Sequence, residues 1–175
     1  MKETCLLGCI IRDDLRWISN TNDLVKRAYA RMTILRKLVH FDVPKHDLVH
    51  IYTLFIRSIL EQSSVVWSAA ITKEESKALE RVQKCSLKLI FQNQYESYEN
   101  ALYLANLKDL ETRRNQLSYN FAKKCTENSK TQHMFPKNEN VRQTRYPEKF
   151  KVPFAYHSRL KKLSNSKNGK AVKWW

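Results

Sequence analysis

Glycine is nearly absent from this chain, with only two among 175 residues. Rossmann folds, P-loops and hairpin-rich β proteins need glycine, either for positive φ angles or for close approach of the backbone to a phosphate. The scarcity of glycine therefore argues against these architectures. No apolar run approaches the roughly 18 residues that a membrane-spanning helix requires, so no membrane segment is expected. The N-terminal apolar run, residues 5–11, is too short and too poorly flanked for a secretory signal.

Cysteine is present but not in a pattern typical of secreted proteins. The four cysteines are Cys5, Cys9, Cys85 and Cys125. Without a secretory signal we expect reduced thiols in an intracellular protein, nuclear or cytoplasmic. If residues 5–11 form a strand, Cys5 and Cys9 lie about 13 Å apart, which is too far for one metal ion.

Acidic residues are few relative to basic ones. The chain has 32 Lys and Arg against 17 Asp and Glu, a net charge of +15. This excess predicts a polyanionic partner, with nucleic acid the first candidate and anionic lipid the second. Residues 129–175 alone carry 12 basic and 2 acidic residues, and apolar periodicity ends there. We interpret this segment as a basic, loosely ordered extension on a helical body.

The body of the chain has helical periodicity. From about residue 22 one apolar stripe is predicted, formed by Leu24, Ala28, Met32, Leu35 and Val39. A second helix is predicted after Pro44, with a polar interruption at residues 62–64 that kinks it. Thr72 with Glu75 forms a capping-box pattern that starts a third helix, whose apolar face is predicted to contain Leu79, Val82, Ser86, Leu89 and Ile90. A short helix at 97–105 and a long one at 107–125 follow. Residues 5–11 predict one short strand, a remnant without its sheet. The predicted fold class is therefore mainly α, a helical bundle with a strand remnant and a basic tail.

The strongest predicted surface feature is a row of cations in the third helix. Its members, at spacings of four, three and four, are Lys77, Arg81, Lys84 and Lys88. We call these four residues the basic row; their spacing places them on one helical face. Such a row matches the regular negative charge of a nucleic-acid backbone. The alternative is a solvated face partly neutralised by Glu74 and Glu80. His50 and Arg57, seven residues apart, form a second candidate phosphate-contacting face.

Candidate metal-binding and catalytic residues are weak. His46 and His50 are four apart, but no carboxylate or cysteine at ligand spacing accompanies them. Asp13 and Asp14 follow an apolar run, yet Arg12 would oppose a metal ion, and Asp favours turns. We expect no catalytic residue, no metal site and no cofactor.

Arg114 lies at an unusual place for a cation. At helical spacing it falls between Leu110 and Phe121, on the face expected to point inward. A buried guanidinium needs a partner, because an unpaired buried charge costs several kcal/mol. Glu80 and Glu61, in helices that must pack nearby, are the expected carboxylates. The sequence therefore predicts a structural ion pair between Arg114 and Glu80 or Glu61.

Residues 56–125 also carry the pattern of a known family. The pattern comprises Ile56-Arg57-Ser58-Ile59-Leu60-Glu61, Val66-Trp67, Leu79-Glu80-Arg81-Val82-Gln83, Arg113-Arg114 and Phe121-Ala122-Lys123-Lys124-Cys125. It resembles the C-terminal thumb and connector region of reverse transcriptases from non-LTR retrotransposons (LINE elements) of the jockey/CR1-like sort. The resemblance covers about residues 6–162, and the chain departs from the family after Lys162.

The resemblance implies a division of the chain. Residues 1–20 would end a palm-like segment, 21–92 form a thumb-like helical bundle, 93–128 form connector helices, and 129–175 are the basic extension. In an intact parent polymerase the thumb grips the template–primer duplex through its backbones, while palm aspartates hold Mg²⁺.

The palm aspartates are not among these residues. We therefore expect a non-catalytic fragment that lacks the palm and fingers of its parent polyprotein, needs no cofactor and binds nucleic acid non-specifically. The alternative is a free-standing basic helical module for protein interaction or DNA binding.

Overall fold

The computed structural model describes residues 2–134, and this part of the protein is mainly helical, as the sequence predicts. The elements are β1 (Glu3–Leu6), β2 (Cys9–Arg12), α1 (Ile18–His40), α2 (Lys45–Ile51), α3 (Ser58–Leu60), α4 (Ser64–Trp67), α5 (Lys73–Phe91), α6 (Tyr98–Leu104) and α7 (Leu110–Glu127). A π-helical turn, Tyr52–Arg57, joins α2 to α3, and 3₁₀ turns lie at Gln92–Gln94 and Gln132–Met134. The predicted extension at 129–175 lies outside the described residues apart from its first six positions.

The chain divides into two compact units, and the division falls after Arg114. α7 begins in the first unit and continues into the second. None of the helices between residues 2 and 134 is long and apolar enough to cross a membrane.

The N-terminal apolar run is a hairpin and not the single strand that was predicted. β1 and β2 pair antiparallel, with Leu7 and Gly8 between them at φ 49° and 76°. Two consecutive positive φ angles make the tight hairpin turn whose twist matches that of the strands, and Gly8 adopts its angle without steric cost. The hairpin is attached to α1, because the Ile10 N–H donates to Asn20 Oδ1 at 3.0 Å. The predicted strand therefore has its own partner.

α1 and α5 form the centre of the core. The buried stripe of α1 contains Leu24, Ala28, Met32 and Leu35, four of the five predicted positions. α1 packs against α5, whose buried face contains Leu79, Val82, Gln83, Ser86, Leu87, Ile90 and Phe91. Apolar residues at helical spacing therefore meet along both helices, as amphipathic patterning requires.

The chain between α1 and α5 covers one side of this pair. It turns at Asp42, where φ is 53°, and enters α2 directly after Pro44. α2, the π-helical turn and α3 follow one another, and they bury Leu48, Tyr52, Ile56 and Leu60. The interruption predicted at residues 62–64 is present as a break at Ser63, which has φ 52°.

The helix starts follow the predicted capping chemistry. Thr72 Oγ1 accepts from the Glu75 N–H at 3.2 Å, and Glu75 Oε2 accepts from the Thr72 N–H at 2.6 Å. These two bonds satisfy donors that would otherwise be free in the first turn of α5. The N-cap of α6 is Ser97, whose Oγ accepts from the Asn100 N–H.

The inward face of α7 differs from the prediction at Phe121. Its buried positions are Leu110, Arg114 and Ala122, whereas Phe121 is 49% exposed. Leu110, Arg114 and Ala122 are separated by multiples of four residues and therefore share one side of the helix. Phe121 precedes Ala122 by one residue, which turns its side chain about 100° around the helix axis. Phe121 therefore lies to the side of the buried stripe.

Candidate nucleic-acid interface

The basic row lies on the solvent side of α5. All four of its side chains are exposed, and the apolar face of the same helix is buried against the core. Within residues 2–134 none of the four cations forms an ion pair with a carboxylate. The row therefore presents four exposed positive charges along one side of the helix.

Glu80, which the solvated-face alternative pairs with Lys84, points away from the row. Its carboxylate accepts hydrogen bonds from the Tyr98 hydroxyl and from the Leu110 N–H, the latter at 3.1 Å. Burial raises the pKa of Glu80, while the bonds from Tyr98 and Leu110 oppose that shift. Lys84 has an aromatic neighbour instead, with Nζ 4.7 Å from the centre of the Tyr98 ring, which is a cation–π distance.

A buried polar network under the basic row holds α5 in this orientation. The Tyr52 hydroxyl donates to Gln83 Oε1 at 2.7 Å, and Gln83 Nε2 donates to the Tyr98 hydroxyl at 2.9 Å and the Lys108 carbonyl at 3.0 Å. Burial raises the pKa of Tyr52 and of Tyr98, so both remain protonated donors. Sequence reasoning missed this network. The available signal was Gln83 itself, a polar residue within the apolar face of α5.

In the second candidate phosphate-contacting face, His50 and Arg57 differ in exposure and in partners. His50 is exposed. The Arg57 side chain is only 14% exposed, and its Nε lies 3.6 Å from Glu61 Oε1, one helical turn further on. The carboxylate of Glu61 therefore competes with phosphate for Arg57, and the phosphate-contacting role of His50 and Arg57 stays a prediction.

Arg114 is buried at 2% exposure, but its predicted ion pair is not formed. Its Nη2 donates to Ser76 Oγ at 2.8 Å, and its guanidinium carbon lies 6.0 Å from the centre of the Trp67 ring. Burial lowers the pKa of Arg114, and the nearby charge of Glu80 opposes the shift without direct contact. Glu80 forms no ion pair with Arg114 because its carboxylate is bonded to Tyr98 and Leu110.

Glu61, the other expected partner of Arg114, is bonded to the preceding arginine. Its Oε1 lies 3.1 Å from Arg113 Nε and 3.6 Å from Arg57 Nε. The prediction was therefore wrong by one residue. Arg113 connects α7 to Glu61, directly after α3, while Arg114 packs beside Ser76 of α5.

The candidate metal-binding residues are His46, His50, Asp13 and Asp14. Within residues 2–134, no group of three His, Cys, Asp or Glu side chains is close enough to hold a metal ion. His46 Nε2 lies 3.2 Å from Asp47 in an exposed pair. Asp14 is contacted by Arg12 at 3.2 Å and Arg16 at 3.5 Å, in the turn after β2.

The described geometry therefore presents one candidate site, the basic row, supported by the network beneath it. Comparison with known proteins gives no match to the chain: no family model, no curated protein and no solved structure.

Proposed function

We propose that this chain binds the sugar–phosphate backbone of nucleic acid non-specifically through the basic row. In the reverse-transcriptase interpretation this is the role of a thumb and connector gripping template–primer duplex, without catalysis by these residues. The observation that carries the proposal is the line of four exposed cations with no carboxylate partner among residues 2–134. The inward turn of Glu80 adds to it, because the carboxylate that would pair with Lys84 is bonded to Tyr98 and Leu110 instead.

A row of this kind has a measurable signature in salt. Each phosphate contact releases condensed counterions, so the slope of log Kobs against log salt becomes steeper by about 0.9 per contact with duplex DNA. Four contacts predict a contribution of about −3.6 to that slope. Lys and Arg contacts to phosphate carry no direct sequence information, so little sequence preference is expected.

The decisive experiment removes the four charges and compares the result with an equal loss elsewhere. Glutamine replaces Lys77, Arg81, Lys84 and Lys88 in one variant. In the control variant it replaces four exposed cations outside the row: Lys2, Arg31, Lys45 and Lys123. Binding of a short labelled DNA duplex and of an RNA–DNA hybrid is then measured across a salt series.

We expect the row variant to lose most of the slope and the control variant to lose little, with both retaining wild-type helicity. Equal losses would show that net charge alone drives binding and would overturn the proposal.

A footprint locates the ligand without mutation. Cys85 is exposed and lies between Lys84 and Lys88 on α5, whereas Cys5 is exposed on β1. Excess duplex should slow alkylation of Cys85 by N-ethylmaleimide and leave Cys5 unaffected, as read by peptide mass spectrometry. Unchanged alkylation of Cys85 at saturating duplex would contradict the proposal.

The proposal also includes the absence of polymerase activity from this chain. Purified protein with primed template, Mg²⁺ and nucleotides should give no primer extension, because the residues that hold catalytic metals in the resembling family are not among those of this sequence. Template-dependent extension would contradict it.

A protein-interaction module is the second candidate, and exposed apolar side chains favour it. Leu7 is 88% exposed, and Leu54 and Phe55 are both more than half exposed. This alternative predicts concentration-dependent association that Leu54→Gln with Phe55→Gln abolishes. It also predicts that the row variant binds its partner normally.

A further inference from the structure

A second helix lies directly beside the basic row. α1 packs along α5. Burial and the neighbouring Cys85 raise the pKa of Tyr29, and the charge of Arg81 opposes that shift, so Tyr29 lies beside both residues of α5. Ten residues further along α1, Val39 lines the same cavity as Ile90 near the end of α5. Because the C-terminal ends of both helices line this cavity, and Tyr29 lies beside Cys85 earlier in both helices, α1 and α5 run in the same direction.

Because the two helices run in the same direction, cations of α1 and of the basic row lie at similar positions along the two helix axes. Arg36 follows Tyr29 by seven residues, and Lys88 follows Arg81 by seven residues. Seven residues are two helical turns, about 10.5 Å, and return to nearly the same face. Arg36 therefore lies on the side of α1 that faces Lys88. Lys26, nearly one turn before Tyr29, lies at the outer edge of that side, and both α1 cations are exposed.

The carboxylates of α1 and α5 do not neutralise this surface. Asp23 is ion-paired with Arg27 at 2.7 Å. Glu75 forms the capping box of α5, and Glu80 faces Tyr98. Glu74 lies in the first turn of α5, at the end of the helix furthest from Lys88. The line where α1 meets α5 around Tyr29 is thus flanked by cations from both helices.

We infer that α1 supplies a second line of phosphate contacts, with Lys26 and Arg36 binding the same strand as the basic row. One sugar–phosphate strand lies along the α1–α5 junction, above Tyr29 and Cys85, and is held from both sides. Either a single strand or one strand of a duplex has this chemistry. The inference rests on the proposed function and extends its surface to a second helix.

The chain offers a matched control for this test. Arg36 and Arg31 are both exposed arginines on α1, five residues apart. Five residues turn the helix by about 140°, so Arg31 lies well away from the side that carries Tyr29 and Arg36. Arg36→Gln should reduce the salt slope for duplex DNA by about 0.9, and adding Lys26→Gln should bring the reduction to about 1.8. Arg31→Gln should leave the slope at its wild-type value. Thermal melts check that all variants are folded.

Each outcome bears on a separate claim. If Arg36→Gln behaves like Arg31→Gln while the row variant loses its slope, this inference fails and the proposed function stands. If neither the row variant nor Arg36→Gln changes the slope, both fail. Single-stranded DNA of the same sequence should show a loss on Arg36→Gln comparable with that of duplex; a loss on duplex alone would overturn the single-strand geometry. Weakened binding to phosphatidylserine vesicles with unchanged DNA binding would also overturn the inference, since it assigns the surface to membranes.

Discussion

The cations of α5 and those at the start of α7 have opposite surroundings. The basic row is exposed and has no carboxylate partner in the described part of the chain, residues 2–134, whereas Arg113 is bonded to Glu61 and Arg114 is buried against Ser76 and Trp67. Both helices are rich in basic residues, so composition alone does not separate them. The difference lies in the helical face: cations opposite an apolar stripe reach solvent and are available to a ligand, while cations on or beside the stripe become part of the packing.

The inward position of Arg114 leaves its guanidinium only partly hydrogen-bonded. Among residues 2–134, its Nε and Nη1 have no hydrogen-bond partner, while its Nη2 donates to Ser76 Oγ. The Trp67 ring and the distant charge of Glu80 offset only part of the desolvation. Since replacing a buried charge with a well-packed apolar side chain is often neutral or stabilising, the aliphatic stem of Arg114 is expected to matter more than its charge.

The largest expected effect follows from this difference between stem and charge. Arg114→Ala should destabilise the protein by roughly 3 kcal/mol, because truncating a large buried side chain leaves a cavity beside Trp67. Arg114→Met, which keeps most of the volume, should cost less than half as much. Urea unfolding measures both, with Lys123→Ala as the exposed control expected to cost under about 0.5 kcal/mol. If Arg114→Met is as destabilising as Arg114→Ala, the charge of Arg114 is required for stability and its aliphatic stem is not the main contribution.

The sequence predicted what depends on local pattern. The apolar stripes of α1 and α5, the Thr72 capping box and the break near Ser63 follow from the spacing and types of a few neighbouring residues. The exposure of the basic row follows from the same spacing. The hairpin was missed because Leu7, an apolar residue, occupies a positive-φ position that sequence rules assign to Gly, Asn or Asp.

Partners within the core could not be predicted in the same way. Arg113 and Arg114 are adjacent and about 100° apart on the helix, so the choice of which one reaches Glu61 depends on how α7 docks. The inward turn of Glu80 depends on Tyr98 and Leu110, which lie 18 and 30 residues away. Contacts at such separations follow from tertiary packing, which periodicity does not encode.

Two single-residue variants, one in the basic row and one at the start of α7, test the comparison between exposed and packed cations. Arg81→Gln should reduce the salt slope for duplex DNA by about 0.9 and change stability by less than about 0.5 kcal/mol. Arg113→Gln should leave the slope unchanged and destabilise by roughly 1 kcal/mol or less, because Glu61 keeps Arg57 and Arg113 is partly exposed. Duplex titrations and urea unfolding on both variants provide the readout. A slope change with Arg113→Gln would mean that the packed arginine also contacts the ligand.

The smallest expected effect concerns Glu80, the acidic residue of α5 whose carboxylate is bonded to Tyr98 and Leu110. Its pKa is raised above 4.5 by burial, so the folded protein holds this proton more tightly than the unfolded chain does. Stability from this group is therefore fully present below pH 4.5 and falls as pH rises through the raised pKa.

Glu80→Gln does not ionise, and its amide oxygen can still accept from Tyr98 and Leu110. The free energy of unfolding of wild type minus that of Glu80→Gln, from urea titrations at a series of pH values, should thus fall with pH and then level off. A difference that rises with pH would show that the bonds from Tyr98 and Leu110 outweigh burial, so that Glu80 is held in place as a charged anchor.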